Sequence, residues 1–152
     1  MKTVEILQEN ADAAYRIAEG NTRDVLDVLF GRNITGIIDS YEAACRHNGK
    51  NPIDESLLIA LGFTPKQIAG IKLEEITLAI NKGKSTDIYN GKDRWYPVFY
   101  SVEGPSAFAF DCSSYAYSAA SAGSGSRLSY HEKSDSDYSG KQFIDLWKEY
   151  LS

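Results

Sequence analysis

The chain has 152 residues, the length of one domain at about 100 to 200 residues per domain, with room for one hydrophobic core. Apolar residues are 43% of the chain and charged residues 24%, a balance that excludes the disordered and fibrous classes. Sixteen Lys and Arg against 21 Asp and Glu leave a net charge of −5, which removes long-range attraction to phosphate backbones and makes nucleic acid a poor partner.

From Met1 to about Lys84, apolar residues recur at spacings of three and four with Gly and Asn between the runs, which predicts four or five short amphipathic helices. Val4, Leu7, Ala11, Ala14 and Ala18 form one stripe that stops at Gly20. Asn21, with Asp24 three residues on, opens a second helix carrying Val25, Leu26, Leu29 and Phe30. A third is predicted from about Thr35 to Arg46, closing on Asn48 and Gly49. Thr64, Pro65 and Gln67 make a capping box with proline where no helical hydrogen bond is needed. Leu73, Ile76, Ala79 and Ile80 then supply an apolar face before Gly83. The opening residues lack the apolar run of a secretory signal, and the longest apolar stretch, Leu57 to Leu61, is far shorter than the roughly 20 residues of a membrane helix. These features predict a soluble cytoplasmic protein without a membrane partner.

Beyond the polar bridge GKSTDIYNGKDR the pattern changes. Trp95 to Val102 is dense in aromatic and β-branched residues and reads as a strand. Gly104 and Pro105 read as a turn into a second strand, Ala107 to Cys112, where Phe108 and Phe110 alternate with Ala109 and Asp111. Tyr115 to Ala119 extends that strand, and the Ser, Ala and Gly tract from Ser118 to Ser126 reads as a mobile loop. Arg127 to Glu132 is predicted as a third strand and KSDSDYSG as a polar turn. Ser139 with Gln142 repeats the capping-box spacing ahead of Phe143, Leu146, Trp147 and Tyr150, which predicts a closing amphipathic helix. Burying Phe143, Leu146 and Trp147 contributes about 2 kcal/mol each. The fold class is α+β: short N-terminal helices, then a C-terminal antiparallel sheet closed by the last helix, in a single domain over residues 1–152.

Motifs for phosphate cradles, dinucleotide turns, zinc helices and nucleophile elbows are absent. Cys45 and Cys112 form no CxxC pair and read as small buried hydrophobes, and two histidines are too few for a metal triad, so no cofactor or metal is expected. His47 sits near a helix end, where its positive form is favoured. His131, beside Glu132, Asp135 and Asp137, reads as part of a solvated turn, and Asp111 as an outward-facing strand residue. Ten tyrosines and two tryptophans gather largely in the second half. Tyrosine joins a large apolar ring to a hydrogen-bonding tip, which suits protein recognition. From Trp95 onward four Lys and Arg stand against seven Asp and Glu, so this is no platform for single-stranded nucleic acid.

The second half resembles the SUKH superfamily, which includes fungal cell-wall assembly regulators and bacterial toxin-immunity proteins. The likeness rests on the order of RWYPVFYS, the turn at Gly104, FAFDC, RLSYHE and the closing SGKQFIDLWKEYL, with IIDSYEAACRHNGKNP similar to an upstream helix that leads into an Asn-Gly turn. It covers residues 95–152 well and the preceding residues thinly. The resemblance implies binding without catalysis: a non-enzymatic immunity protein that neutralises a cognate toxin by occluding it. An acidic surface would speed encounter with a basic target, and the contact surface is expected between Ser113 and Asp137, at Tyr115, Tyr117, Tyr130, Asp135 and Asp137. The alternative is a small-ligand receptor or enzyme with a pocket between the sheet and the helical half, where Asp111 and His131 converge.

Overall fold

The computed structural model describes residues 37–87, 89–101, 104, 107–117 and 126–152, and the isolated helical positions 10, 13, 14, 17, 22, 25 and 26. The two predicted N-terminal helices therefore lie almost wholly outside the described residues, as does most of the predicted loop from Ser118 to Ser126.

The first full helix, α1, is Tyr41–Asn48. It begins later than the predicted Thr35 because Ser40 is the residue that caps it: the Ala43 amide donates to the Ser40 hydroxyl at 3.2 Å. It ends where expected, with Gly49 at φ 72° accommodating the left-handed stop. The short helix α2, Glu55–Ala60, follows, then α3, Pro65–Ile80. The capping box read from Thr64 and Gln67 is present, with the Gln67 amide donating to Thr64 Oγ1 at 3.3 Å and the Thr64 amide to Gln67 Oε1 at 2.8 Å. Leu73, Ile76, Ala79 and Ile80 of α3 are fully buried and form the centre of the core.

Strands β1, Asp93–Tyr100, and β2, Ala109–Tyr117, pair antiparallel. The α+β class holds, but the sheet has two strands among the described residues and is not closed. In place of a third strand over Arg127–Glu132 there is a 3-10 turn at Ser126–Leu128 and a single bridge from Tyr130 to Trp95. That bridge is two-way, with Trp95 N–H to the Tyr130 carbonyl at 2.9 Å and Tyr130 N–H to the Trp95 carbonyl at 2.7 Å. On the opposite edge of this segment Asn81 holds both neighbours of Tyr130: its amide donates to the Ser129 carbonyl at 2.9 Å and its oxygen accepts from the His131 amide at 3.2 Å.

The predicted polar turn KSDSDYSG is instead a helix, α4, Lys133–Gln142, and Phe143 at φ −109° separates it from the last helix, α5, Ile144–Leu151. Ser139 is therefore a buried residue inside α4 and not an N-cap. What α4 buries is small and polar: Ser136, Ser139 and Gly140, spaced to share one face. Ser113 of β2 donates to the Ser136 hydroxyl at 2.7 Å. A methyl group at Gly140 would meet the Phe110 ring, 2.6 Å from its Cε2, and Pro97 Cβ at 2.9 Å. The strands can lie this close only because α4 presents no bulk. Phe99 fills the remaining space, stacking on Phe108 at 4.9 Å and meeting Trp147 of α5 at 5.5 Å.

Gly140→Ala tests this packing. Alanine is the better helix former by about 1 kcal/mol, yet overpacking against Phe110 and Pro97 is expected to make the variant about 1–3 kcal/mol less stable by urea denaturation. Tyr130→Phe tests the buried phenol, whose Oη lies 3.0 Å from Thr77 Oγ1 and donates to Ser139 Oγ at 2.6 Å. Losing those bonds is expected to cost about 1–3 kcal/mol at neutral pH. Burial pushes the Tyr130 phenol from its ordinary 10.0 up to about 12. A raised pKa gives stability that is complete below the unfolded value and is lost as pH climbs through the folded one. Wild type should therefore lose stability faster than Tyr130→Phe above about pH 10, narrowing the gap between them.

Candidate protein-docking face

The β1–β2 register sorts the aromatic residues into two sets. Pro97 pairs with Ser113 and Phe99 with Phe110, and these side chains face α4 and α5. The residues between them, Tyr96, Val98 and Tyr100, alternate onto the opposite face. Tyr96 and Tyr100 are exposed there, Tyr100 at 48%. Tyr115 is exposed at 56% and leans on its cross-strand partner Trp95, ring centroids 5.1 Å apart. The hairpin thus displays Tyr96 and Tyr100 on one face and Tyr115 on the other, all on hydrogen-bonded backbone, which limits the entropy lost on contact.

Acidic groups stand beside it. Asp111 and Glu132 are exposed, and Asp135 and Asp137 are half-buried in the first two turns of α4. Burial raises the Asp135 carboxyl above its ordinary value, with the neighbouring Glu132 adding to the shift and Lys82 and His131 opposing it. Burial also acts upward on Asp137, but the hydrogen-bonded Lys133 ammonium outweighs it and holds that carboxyl low. The Lys133 ammonium donates to Asp137 Oδ2 at 2.9 Å.

Of the five residues predicted to touch a partner, the structure places Tyr115, Asp135 and Asp137 at or near the surface. Tyr130 is a correction: it is fully buried, spent on the core and on the bridge to Trp95, and offers nothing to a partner. Tyr117 ends β2, and its side chain lies outside the described residues. Tyr96 and Tyr100, exposed on β1, are not among those five, although Tyr96, Val98 and Tyr100 alternating against Pro97 and Phe99 is a signal of period two that the sequence carries.

The cysteines also divide. Cys45 is buried as predicted, whereas Cys112 is exposed on the outer face of β2, and both are free thiols. The predicted outward placement of Asp111 holds. Asp111 and His131, the polar groups expected to converge on a pocket, are both exposed. His131 Nε2 lies 3.0 Å from the Lys84 carbonyl. A cleft of about 390 Å³ between α1, α3 and the 3-10 turn is lined instead by Lys50, Glu74, Glu75, Asn81 and Arg127. Its charges satisfy one another, Lys50 with Glu75 at 2.8 Å and Arg127 with Glu74 at 3.6 Å. Among the described residues, no group of three His, Cys, Asp or Glu side chains is arranged to hold a metal ion, and no helix is long and apolar enough to cross a membrane.

Comparison with family models, curated proteins and solved structures gave no match.

Thiol labelling checks the orientation of β2. One thiol, Cys112, should react with Ellman's reagent in the native protein and the second, Cys45, only on unfolding. Lost hydration and the adjacent Asp111 carboxylate push the Cys112 thiol up from its ordinary 9.0. Its labelling rate should therefore keep rising with pH beyond the range of an unperturbed thiol.

Proposed function

We propose that this chain is a non-enzymatic protein-binding module that uses the exposed face of its hairpin carrying Tyr96 and Tyr100 to cover a basic protein, in the manner of an immunity protein occluding a toxin. The observation that carries this reading is the exposure of Tyr96 and Tyr100 on one face of a two-stranded hairpin whose strand β2 and adjoining helix α4 carry the acids Asp111, Asp135 and Asp137, with Glu132 capping that helix. The net charge of −5 and the resemblance of residues 95–152 to SUKH immunity proteins support a basic partner. The division of labour follows from the chemistry: carboxylates steer encounter through long-range attraction, and the rings, once desolvated, slow release.

The test uses the protein product of the gene adjacent to the one encoding this chain, because an immunity protein is expected beside its toxin. Asp111→Lys with Glu132→Lys alters two exposed acids without touching the internal bonds of Asp137. By stopped flow, that variant should associate about tenfold more slowly at low salt, with the difference shrinking as ionic strength rises. Tyr96→Ala with Tyr100→Ala should chiefly raise the dissociation rate. Absence of a complex with the neighbouring product, or association rates indifferent to the charge reversal at low salt, would remove the reading.

A further inference from the structure

The cleft of about 390 Å³ between α1, α3 and the 3-10 turn falls in the size range of small-ligand sites. Its floor is fixed. Thr77 and Asn81 are buried there, the first with its hydroxyl 3.0 Å from the Tyr130 phenol, the second bonded through both ends of its amide to Ser129 and His131. A guest therefore meets polar atoms that already have partners, with the half-buried Leu78 beside them. One corner is equally committed: Glu75 accepts from the Asn48 amide at 2.6 Å and from the Lys50 ammonium at 2.8 Å.

The other corner is balanced in charge but not bonded. Arg127 and Glu74 face each other at 3.6 Å, too long for a hydrogen bond, and both side chains are exposed, Arg127 at 83%. Exposed pairs of this kind are held weakly, so a better partner can draw the guanidinium and the carboxylate apart. The lining carries two positive groups, Lys50 and Arg127, and two negative ones, Glu74 and Glu75. A simple anion or a simple cation is attracted by one member of each pair and repelled by the other. A molecule bearing both signs on a single carbon gains from both, with its carboxylate on Arg127 and its ammonium on Glu74. We propose that this cleft is a binding site for a free α-amino acid with an apolar side chain, held by Arg127 and Glu74 and directed onto Leu78. A charged or amide side chain would lose its hydration against the committed groups of Thr77 and Asn81 without gaining a bond. The site uses no residue of the hairpin, so it stands or falls apart from the protein-binding reading above.

Isothermal titration of the full chain with L-leucine, L-methionine and L-phenylalanine tests the site. The expected result is saturable binding of at least one of them with Kd below about 1 mM. The N-acetyl derivative of the tightest binder, which lacks the ammonium, and its amide, which lacks the carboxylate, should each bind about tenfold more weakly or worse. Its dipeptide, with the two charges a residue further apart, and L-glutamine, with an amide to bury, should be weakened in the same way. Arg127→Gln should cost about tenfold for the amino acid and nothing for the amide, and Glu74→Gln about tenfold for the amino acid and nothing for the N-acetyl derivative. The unaffected derivative in each case reports that the variant is folded. Because both residues are exposed, the variants should also melt within about 2 °C of the parent. No binding of any of the three up to about 10 mM, derivatives or dipeptide that bind as well as the amino acid, or variants that bind it like the parent would overturn the proposal.

Discussion

Tyr130 is the residue on which the described architecture turns. Its backbone exchanges two hydrogen bonds with Trp95 and so fixes the hairpin, while its phenol reaches Thr77 of α3 and Ser139 of α4. Ser139 in turn accepts from the Trp147 indole at 3.2 Å, which brings in α5. Three helices and the sheet therefore meet at two hydroxyl groups inside the core. Such a network stabilises only when complete, since each buried hydroxyl left without a partner carries the full cost of its lost hydration. The exposure of the hairpin follows: β1 is held by its Trp95 end, so Tyr96 and Tyr100 are presented from a fixed base.

How much of this was legible in the sequence depended on what kind of signal each element carries. The α3 cap was legible because Thr64, Pro65 and Gln67 interact locally, within one turn. The Gly49 stop was legible for the same reason. Helix α4 was not, because periodicity searches look for large apolar residues and its buried face is Ser136, Ser139 and Gly140. Those residues read as a turn by composition and become a helix only because the strands need a surface they can approach closely. Tyr130 looked like a surface contact for a related reason. Whether a tyrosine faces water or a buried hydroxyl is decided by Thr77 and Ser139, which are distant or offset in the chain and invisible to a local reading.

Helix α2 shows the converse. Its apolar run was visible, but a run of Leu, Ile and Ala is ordinarily read as core. The distinguishing feature is the strength of its ends relative to its length: six residues held by Asp54 and the Gly62 stop do not require burial in order to be helical. A chain that stabilises an apolar helix by capping leaves its side chains free to be buried by something else.

The irregularity in the hairpin explains how one sheet serves both core and surface. Val98 pairs with Cys112 and Phe99 with Phe110, so Asp111 is the unmatched residue of a bulge. Without it, Asp111 would sit opposite Phe99, over Trp147, and Phe110 would turn outward with Tyr100. A carboxylate in the aromatic core would be desolvated without a partner, and a phenyl ring would be lost from the contact with Gly140. The bulge moves the acid into solvent and returns the ring to the core in one step. The parity of β2 therefore switches at Asp111: Phe108 and Phe110 pack with Phe99 before it, and Ser113 and Tyr115 share the face of Pro97 and Trp95 after it. A strict alternation carried through the strand cannot describe both halves, and the residue where it fails is the exposed Asp111.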